Sequence, residues 1–352
     1  MTLALSTDWQ YLHGKPKAHA RFKSLSQDFI VKEQLGYELT GSGEHVFLWI
    51  QKEALNTAFV AEQIAKFCGV PLRAVSYAGR KDKFAITQQW IGVHLPGNKD
   101  PDWNKFVLEG AQILSSTRHN KKLRTGQLKG NTFEICLRDV TDMEEVLTRA
   151  NLIKQKGVPN YFAEQRFGVV RGADGKLHLG GNLDMAQRMI NGETIRNRNK
   201  RSMAISALRS WFFNHVTSER IKSSCYHTIL NGDAMQLCGS NSFFITEVVD
   251  EVLSQRLASG DIAITAPMAG KGQWLTKSES LAFEQSCAQH VESVINTLAK
   301  LDLKQERRAI SLTPEEFEWN VSGDDLNITL TLPSGSYATA VIRELVNTEE
   351  NS

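Results

Sequence analysis

No C-x-x-C pair occurs in this chain, and its five cysteines, Cys68, Cys136, Cys225, Cys238 and Cys287, are scattered and odd in number. That pattern suggests neither a disulfide framework nor a zinc knuckle, and predicts reduced, mostly buried thiols. Long apolar runs are also missing, since no uninterrupted stretch approaches a membrane span, and the opening MTLALSTDWQ lacks the basic and apolar regions of a secretory leader. The expectation is a soluble, cytoplasmic protein with no membrane partner. H-E-x-x-H, G-x-S-x-G and G-x-G-x-x-G are absent as well, and APMAGKGQ has neither the first glycine nor the Ser/Thr of a phosphate-binding loop. Nothing in the sequence calls for a metal, a nucleotide or a flavin, and His13, His45 and His119 are not arranged as ligands.

What the chain does have is length and a balanced charge. At 352 residues and 41% hydrophobic it exceeds the usual single-core size, so two domains are expected. Lys and Arg number 41 against 39 Asp and Glu, a formal charge of +2, so any affinity for a polyanion must come from local clustering.

The first third mixes strand and helix signals. DFIVKEQL and EHVFLWIQK are rich in β-branched and aromatic residues and are separated by the turn formers of GYELTGSGE, which predicts neighbouring strands. NTAFVAEQIAKFCGV predicts an amphipathic helix carrying Phe59, Ile64 and Phe67, ending at Gly69 and Pro71. AVSYAG and AITQQWIGVHL are extended, GNTFEICLRDV is a strand and MEEVLTRANLIKQKG a helix, an α+β pattern. From Gly157 the texture becomes glycine-dense and then helical, through NLDMAQRMING and KRSMAISALRSWFFNHVTSERIKS. Alternating strand character returns in EEFEWNVSGDDLNITLTL. We therefore expect residues 1–156 with 312–352 to form one unit, interrupted by a second unit at 157–311.

Asp82 stands between Lys81 and Lys83 in YAGRKDKFAITQQW, on the turn or short helical nub joining two extended runs. Adjacent cations favour the charged form of a carboxylate, and a charged carboxylate can act as nucleophile, base or cation ligand. The same pattern is also a common solvated turn, and the local sequence leaves both readings open.

Two basic clusters break the overall neutrality. Arg118, Lys121, Lys122, Arg124 and Lys129 fall in RHNKKLRTGQLKGN, and no acidic residue occurs between Glu109 and Glu134. Such a run suits a loop pressed on a phosphate backbone, or a solvated loop. Arg196, Arg198, Lys200 and Arg201 sit in RNRNKRS just before a helix, where cations are locally unfavourable unless an anion binds among them. A basic surface edge is the alternative. Phe29, Phe133, Tyr161, Phe162, Phe167 and Tyr337 interleave with these clusters and could stack on splayed bases, or fill cores.

Taken together, several stretches resemble one family. AGRKDKFAITQQW is similar to the G-x-K-D-x-x-A-x-T-x-Q signature of the TruD-type tRNA pseudouridine synthases, with Gly79, Lys81, Asp82, Ala85, Thr87 and Gln89 in place. KGNTFEI resembles the family's G-N-x-F segment and GVPNYFAEQRFG its N-Y-F-x-x-Q-R-F-G segment. YLHGKP, DFIVKEQLG, RNRNKRS and LPSGSYATAVIREL match in the expected order, so the likeness runs from about Tyr11 to about Asn347.

The resemblance implies an α+β fold: a pseudouridine synthase catalytic domain, with a mixed antiparallel sheet flanked by helices, carrying a family-specific α/β insertion domain. It implies isomerisation of uridine 13 of tRNA to pseudouridine, without cofactor or metal, by a chain that is a monomer with tRNA as partner and no protein partner. It makes Asp82 the catalytic carboxylate, with Lys81, Lys83 and Lys23 as candidates to keep it ionised. Phe133 would pack on the flipped base, Asn131 would donate or accept at its edge, and Phe29 would line the pocket. The family usually has phenylalanine where Tyr337 stands, so the ring is kept and the polarity of that wall is open. A tRNA-binding protein without catalysis would need the basic loops but not Asp82, and a hydrolase would need a second carboxylate or a metal cluster.

Overall fold

The computed structural model describes residues 5–82, 85–97, 99–168, 170–171, 177–178, 180–240 and 242–350. The strand Leu128–Arg138 organises the first half of the α+β fold. Successive side chains of a strand point to opposite faces, so Phe133, Ile135 and Leu137 turn inward together and are buried. Phe29–Leu35 lies antiparallel on one side, with Val31 opposite Phe133, and Asp325–Pro333 on the other, with Leu330 opposite the same ring. The outer face keeps polar pairs: Gln34 Nε2 donates to Thr132 Oγ1 at 2.8 Å, and the Thr132 and Thr331 hydroxyls meet at 3.0 Å.

Among the described residues ten strands join this mixed sheet. Its main path runs Glu315–Ser322, Asp325–Pro333, Leu128–Arg138, Phe29–Leu35, Ile86–His94, His45–Lys52 and Ala111–His119. The helices Met143–Lys156 and Ala338–Leu345 bury Val146, Ile153, Val341 and Leu345 in the core that holds Phe133 and Leu330. Thr57–Phe67 covers the other end, packing Val60 and Ile64 against Val46, Leu48 and Ile50. Its buried stripe follows Thr57, Val60, Ala61, Ile64 and Ala65, which leaves Phe59 outside it and 42% exposed.

One pairing differs from expectation. Phe29–Leu35 and His45–Lys52 are not neighbours, because Ile86–His94 lies between them, parallel to the first and antiparallel to the second. His45–Lys52 is a central strand, paired on one edge with Ile86–His94 and on the other with Ala111–His119, and it buries Phe47 on one face and Val46, Leu48 and Ile50 on the other. The GYELTGSGE link closes instead against His119, whose Nδ1 accepts from Thr40 N at 3.2 Å.

Residues from Tyr161 to Ile310 build a second core around the 25-residue helix Arg198–Lys222, which buries Ala204, Leu208, Phe212 and Val216. The helical texture read from the sequence understated this half, which also holds a four-stranded antiparallel sheet: Phe243–Ile245, Ala234–Leu237, Ile262–Met268 and Glu306–Ala309. At the seam Val158–Pro159 pairs with Ser311–Leu312. The N-terminal segment, grouped above with the first half, packs in this second core: Leu5 and Trp9 are buried there, Trp9 stacks on Tyr161 at 6.1 Å, and Trp211 Nε1 donates to Ser6 O at 2.7 Å. Of the cysteines only Cys287 is buried; Cys68, Cys136 and Cys225 are half-buried and Cys238 is exposed, all as free thiols.

Candidate active site

Asp82 lies on the segment between the strands Val75–Tyr77 and Ile86–His94, and buried polar groups from three elements hold that segment. Thr57, first residue of its helix, donates its hydroxyl to Gln89 Oε1 at 2.8 Å and accepts from Lys81 N at 3.1 Å. Lys52, wholly buried on its strand, donates from Nζ to the carbonyl oxygen of Asp82 at 2.9 Å. Burial pushes the Lys52 pKa down to about 8; Asp82 draws it up and Lys81 presses it further down.

The Asp82 carboxylate is reached from both halves of the molecule. Its Oδ2 is 3.4 Å from Lys23 Nζ and 3.2 Å from Gln165 Nε2, with 37% of the side chain exposed. Lys23 has a positive φ of 56° and lays its ammonium over the Phe29 ring, 4.1 Å from the centroid. Lys83 lies outside the described residues. Lys81, expected beside Asp82, points elsewhere: its Nζ is 2.9 Å from Glu33 Oε1 and 2.7 Å from Asn131 Oδ1. Adjacency in sequence therefore did not bring the Lys81 ammonium onto the Asp82 carboxylate. Glu33 is buried and accepts from Trp90 N at 2.9 Å; burial raises its pKa, and the Lys81 charge opposes that.

The rings form a wall beside this centre. Phe29 and Phe133 pack at 5.9 Å with Phe22 edge-on to Phe29 at 5.5 Å. Tyr337 precedes the helix Ala338–Leu345, and its hydroxyl accepts from Arg166 Nε at 3.2 Å and Nη2 at 2.9 Å. The extra oxygen of that tyrosine is therefore turned onto a guanidinium. Phe162 meets Tyr337 at 6.0 Å, and Arg308 stacks on Phe162 at 4.3 Å, where burial pushes its pKa down to about 10. Tyr161 and Phe167 are buried in the second core, and Phe29 and Phe133 are nearly as buried at the edge of the first, 4% and 7% exposed.

The basic residues divide into engaged and free. Arg118 is engaged: it donates to Asp100 Oδ1 from Nε at 3.0 Å and Nη2 at 2.5 Å, and to Gly43 O at 2.7 Å. Its charge is neutralised at the sheet edge, which removes the basis for counting it with the loop. Lys121, Lys122, Arg124 and Lys129 are exposed. Their loop is docked beside the Asp82 segment through Gly126 N, which donates to Ala78 O at 3.0 Å, and Lys122 Nζ, which donates to Arg73 O at 3.3 Å. Lys129 lines a cleft of about 1730 Å³ between the two halves, together with Gly130, Phe162, Arg308 and Ser334. Arg196, Arg198, Lys200 and Arg201 are exposed at the start of the long helix, where Asn197 Oδ1 accepts from Lys200 N at 3.0 Å, and none forms an ion pair among the described residues. Lys200 is less than two turns, roughly 9 Å along the axis, from Ser206, whose Oγ accepts from Arg166 Nη1 at 2.9 Å.

Four residues of this centre were not singled out from sequence. Gln165 and Arg166 sit inside the N-Y-F-x-x-Q-R-F-G segment, so that motif held the signal. Glu33 and Lys52 are charges at inward positions of apolar strands, and a buried charge without a visible partner is the only trace of either. Among the described residues no group of three His, Cys, Asp or Glu side chains is arranged to hold a metal, and no helix is long and apolar enough to cross a membrane.

Comparison with known proteins places this arrangement. The family model described as tRNA pseudouridine synthase D (TruD) matches residues 8–204 and 193–345. The tRNA pseudouridine synthase D of Pseudoalteromonas atlantica is 51% identical, covering 97% of this chain and 96% of its own, and that of Aeromonas hydrophila is 43% identical, covering 97% and 94%. A crystal structure of a Methanosarcina mazei protein assigned as tRNA pseudouridine synthase D shares the fold, with a TM-score of 0.71 at 20% identity and 96% of each chain covered. With its signature residues gathered around Asp82 and its relatives matched over nearly full length, the chain belongs to the tRNA pseudouridine synthase D (TruD) family.

Proposed function

We propose that this protein isomerises uridine 13 of tRNA to pseudouridine, with Asp82 as the reacting carboxylate and no cofactor. The observation that carries the reading is the grip of Lys23 and Gln165 on one oxygen of Asp82, beside the Phe29 and Phe133 rings. The reaction breaks the C1′–N1 bond, turns the uracil and joins C5 to C1′; the proton on C5 leaves and N1 gains one. No electrons are exchanged with a partner, so the needs are an ionised carboxylate near C1′ and a pocket that holds the detached base. Whether the carboxylate adds to the sugar, adds to the base or removes a sugar proton, it works as an anion beside cations.

A uridine stacked in a tRNA arm must be extruded to reach Asp82, at a cost of a few kcal/mol that stacking and hydrogen bonds offset. Phe133 and Phe29 supply rings, and Tyr337 closes the pocket as a wall whose hydroxyl is occupied by Arg166. Lys121, Lys122, Arg124, Lys129 and the Arg196 to Arg201 group line the route of the RNA backbone. Residues 1–156 with 312–352 are read as the catalytic domain and 157–311 as the insertion, with the first dozen residues packed on the insertion. The family names of the relatives and the separate sheets of the two halves support this reading.

The test is incubation of the purified protein with unmodified tRNA transcripts in chelator, followed by mapping of pseudouridine. Product at position 13 is expected, and Asp82→Asn should lose a thousandfold or more on the order expected for a group acting in the transition state, while binding tRNA as before. Product from Asp82→Asn would remove the carboxylate from the chemistry, and binding without product from the parent protein would favour a purely RNA-binding role.

A further inference from the structure

An ammonium group carries three donors and no acceptor. The Asn131 atom 2.7 Å from Lys81 Nζ is therefore its carbonyl oxygen, Oδ1. That contact sets the orientation of the whole carboxamide, because oxygen and amino group lie on opposite sides of the amide carbon. Lys81 is itself fixed. Its backbone N–H is held by Thr57, and its Nζ rests 2.9 Å from Glu33, whose side chain is fully buried and whose second oxygen accepts from Trp90 N. Glu33 and Asn131 are direct cross-strand partners, so the ammonium bridges two residues that the sheet register already sets side by side. Asn131 Nδ2 has no partner among the described residues. Phe133, two residues on, shares its face of the strand and belongs to the aromatic wall.

We propose that the Glu33–Lys81 pair is a positioning device that locks Asn131 with its amino group toward the pocket, so that Asn131 acts only as a donor and reads a carbonyl oxygen of the target base. The proposal deepens the isomerase reading and rests on it. Uracil offers two such oxygens, O2 and O4, with a donor, N3–H, between them. Cytosine carries an amino group where uracil has O4 but keeps O2, so a donor reading O4 separates the two bases whereas one reading O2 does not. A donor that cannot rotate rejects an opposing donor, since both would be left unpaired in a closed pocket. A freely rotating asparagine would accept either base. The ion pair thus fixes an otherwise ambiguous side chain as a donor, and Glu33 and Lys81 act through Asn131 rather than on the substrate.

The experiment is a chemical double-mutant cycle with tRNA transcripts carrying uridine, 2-thiouridine or 4-thiouridine at the target position, because sulfur is a poor acceptor. With the parent protein, one of the two thio transcripts should react about tenfold more slowly than uridine in single turnover, and which one identifies the oxygen read. Asn131→Ala should be slow on uridine and lose little more on that thio transcript. The uncharged Glu33→Gln, Lys81→Met double variant frees the amide, so its thio penalty should shrink toward that of Asn131→Ala. Asn131→Asp, which keeps the Lys81 contact and presents no donor, provides a second arm if the alanine variant does not fold; it too should show no thio penalty. A thio penalty equal in parent and Asn131 variants, or absent from all of them, overturns the proposal. A parent protein inactive on the uridine transcript would instead overturn the isomerase reading beneath it.

Discussion

Gln165 reaches Asp82 from the other half of the molecule, its Nε2 3.2 Å from Oδ2. Lys23 approaches the same oxygen from the first half at 3.4 Å, so the carboxylate is steered by both halves at once and its Oδ1 has no partner among the described residues. Gln165 sits on the short helix Glu164–Phe167, which Phe167 anchors in the second core and Arg166 ties to Tyr337 and Ser206.

If this contact orients Asp82, Gln165→Ala should lower the single-turnover rate about tenfold, the scale of one lost hydrogen bond to a charged group, with tRNA affinity nearly unchanged. Gln165→Glu should be slower still near neutral pH and should recover as pH rises, because like charges side by side disfavour ionisation. Parallel pH profiles for the two variants would reduce Gln165 to a structural role.

Lys52 links the site to stability. A lysine whose pKa falls to about 8 on folding, from an ordinary 10.5, costs stability in full below about pH 8, and the cost fades as pH climbs toward 10.5. The parent protein should therefore gain stability relative to Lys52→Met between those values, by roughly 1–3 kcal/mol. Denaturant unfolding of both proteins across that range measures it, and a pH-independent difference would mean that Lys52 is not held as a buried cation.

The basic loop should behave as a salt-dependent contact. Replacing Lys121, Lys122 and Arg124 by alanine should weaken tRNA binding and flatten the dependence of log K on log salt by roughly 2–3 units of slope. Arg118→Ala should leave that slope alone and instead destabilise the fold by about 1–2 kcal/mol, since Asp100 and the Gly43 carbonyl lose their donor. Filter binding over a salt series separates the two outcomes.

Tyr337→Phe isolates the extra hydroxyl. The ring remains, so turnover should stay within about threefold, while loss of the Arg166 contacts should cost about 1 kcal/mol of stability. A large fall in turnover with unchanged stability would put the hydroxyl on the substrate instead.

Much of the fold was legible because it rests on short-range patterns. The period-two burial of Leu128–Arg138, the stripe of Thr57–Phe67 and the return of strands after the second half are set by which residues can face a core. Strand neighbours were not legible: Ile86–His94 slips between Phe29–Leu35 and His45–Lys52, and local turn signals carry no information about which distant strand fills an edge. Nor was the home of Trp9, which lies more than 150 residues from the Tyr161 and Trp211 rings it packs on.

The amino-acid sequence alone determined the chemical inventory of this protein: a carboxylate in a fixed motif, rings at spaced positions, two runs of cations and no obvious metal or nucleotide signature. Only the tertiary structure decided how that inventory is used. It gave Asp82 the cation of Lys23 in place of its neighbour Lys81, sent Lys81 to Glu33 and Asn131, and spent Arg118 on Asp100. The physical reason is that a charge interacts through space over a few ångströms, and the fold rather than adjacency along the chain sets which side chains come within that reach.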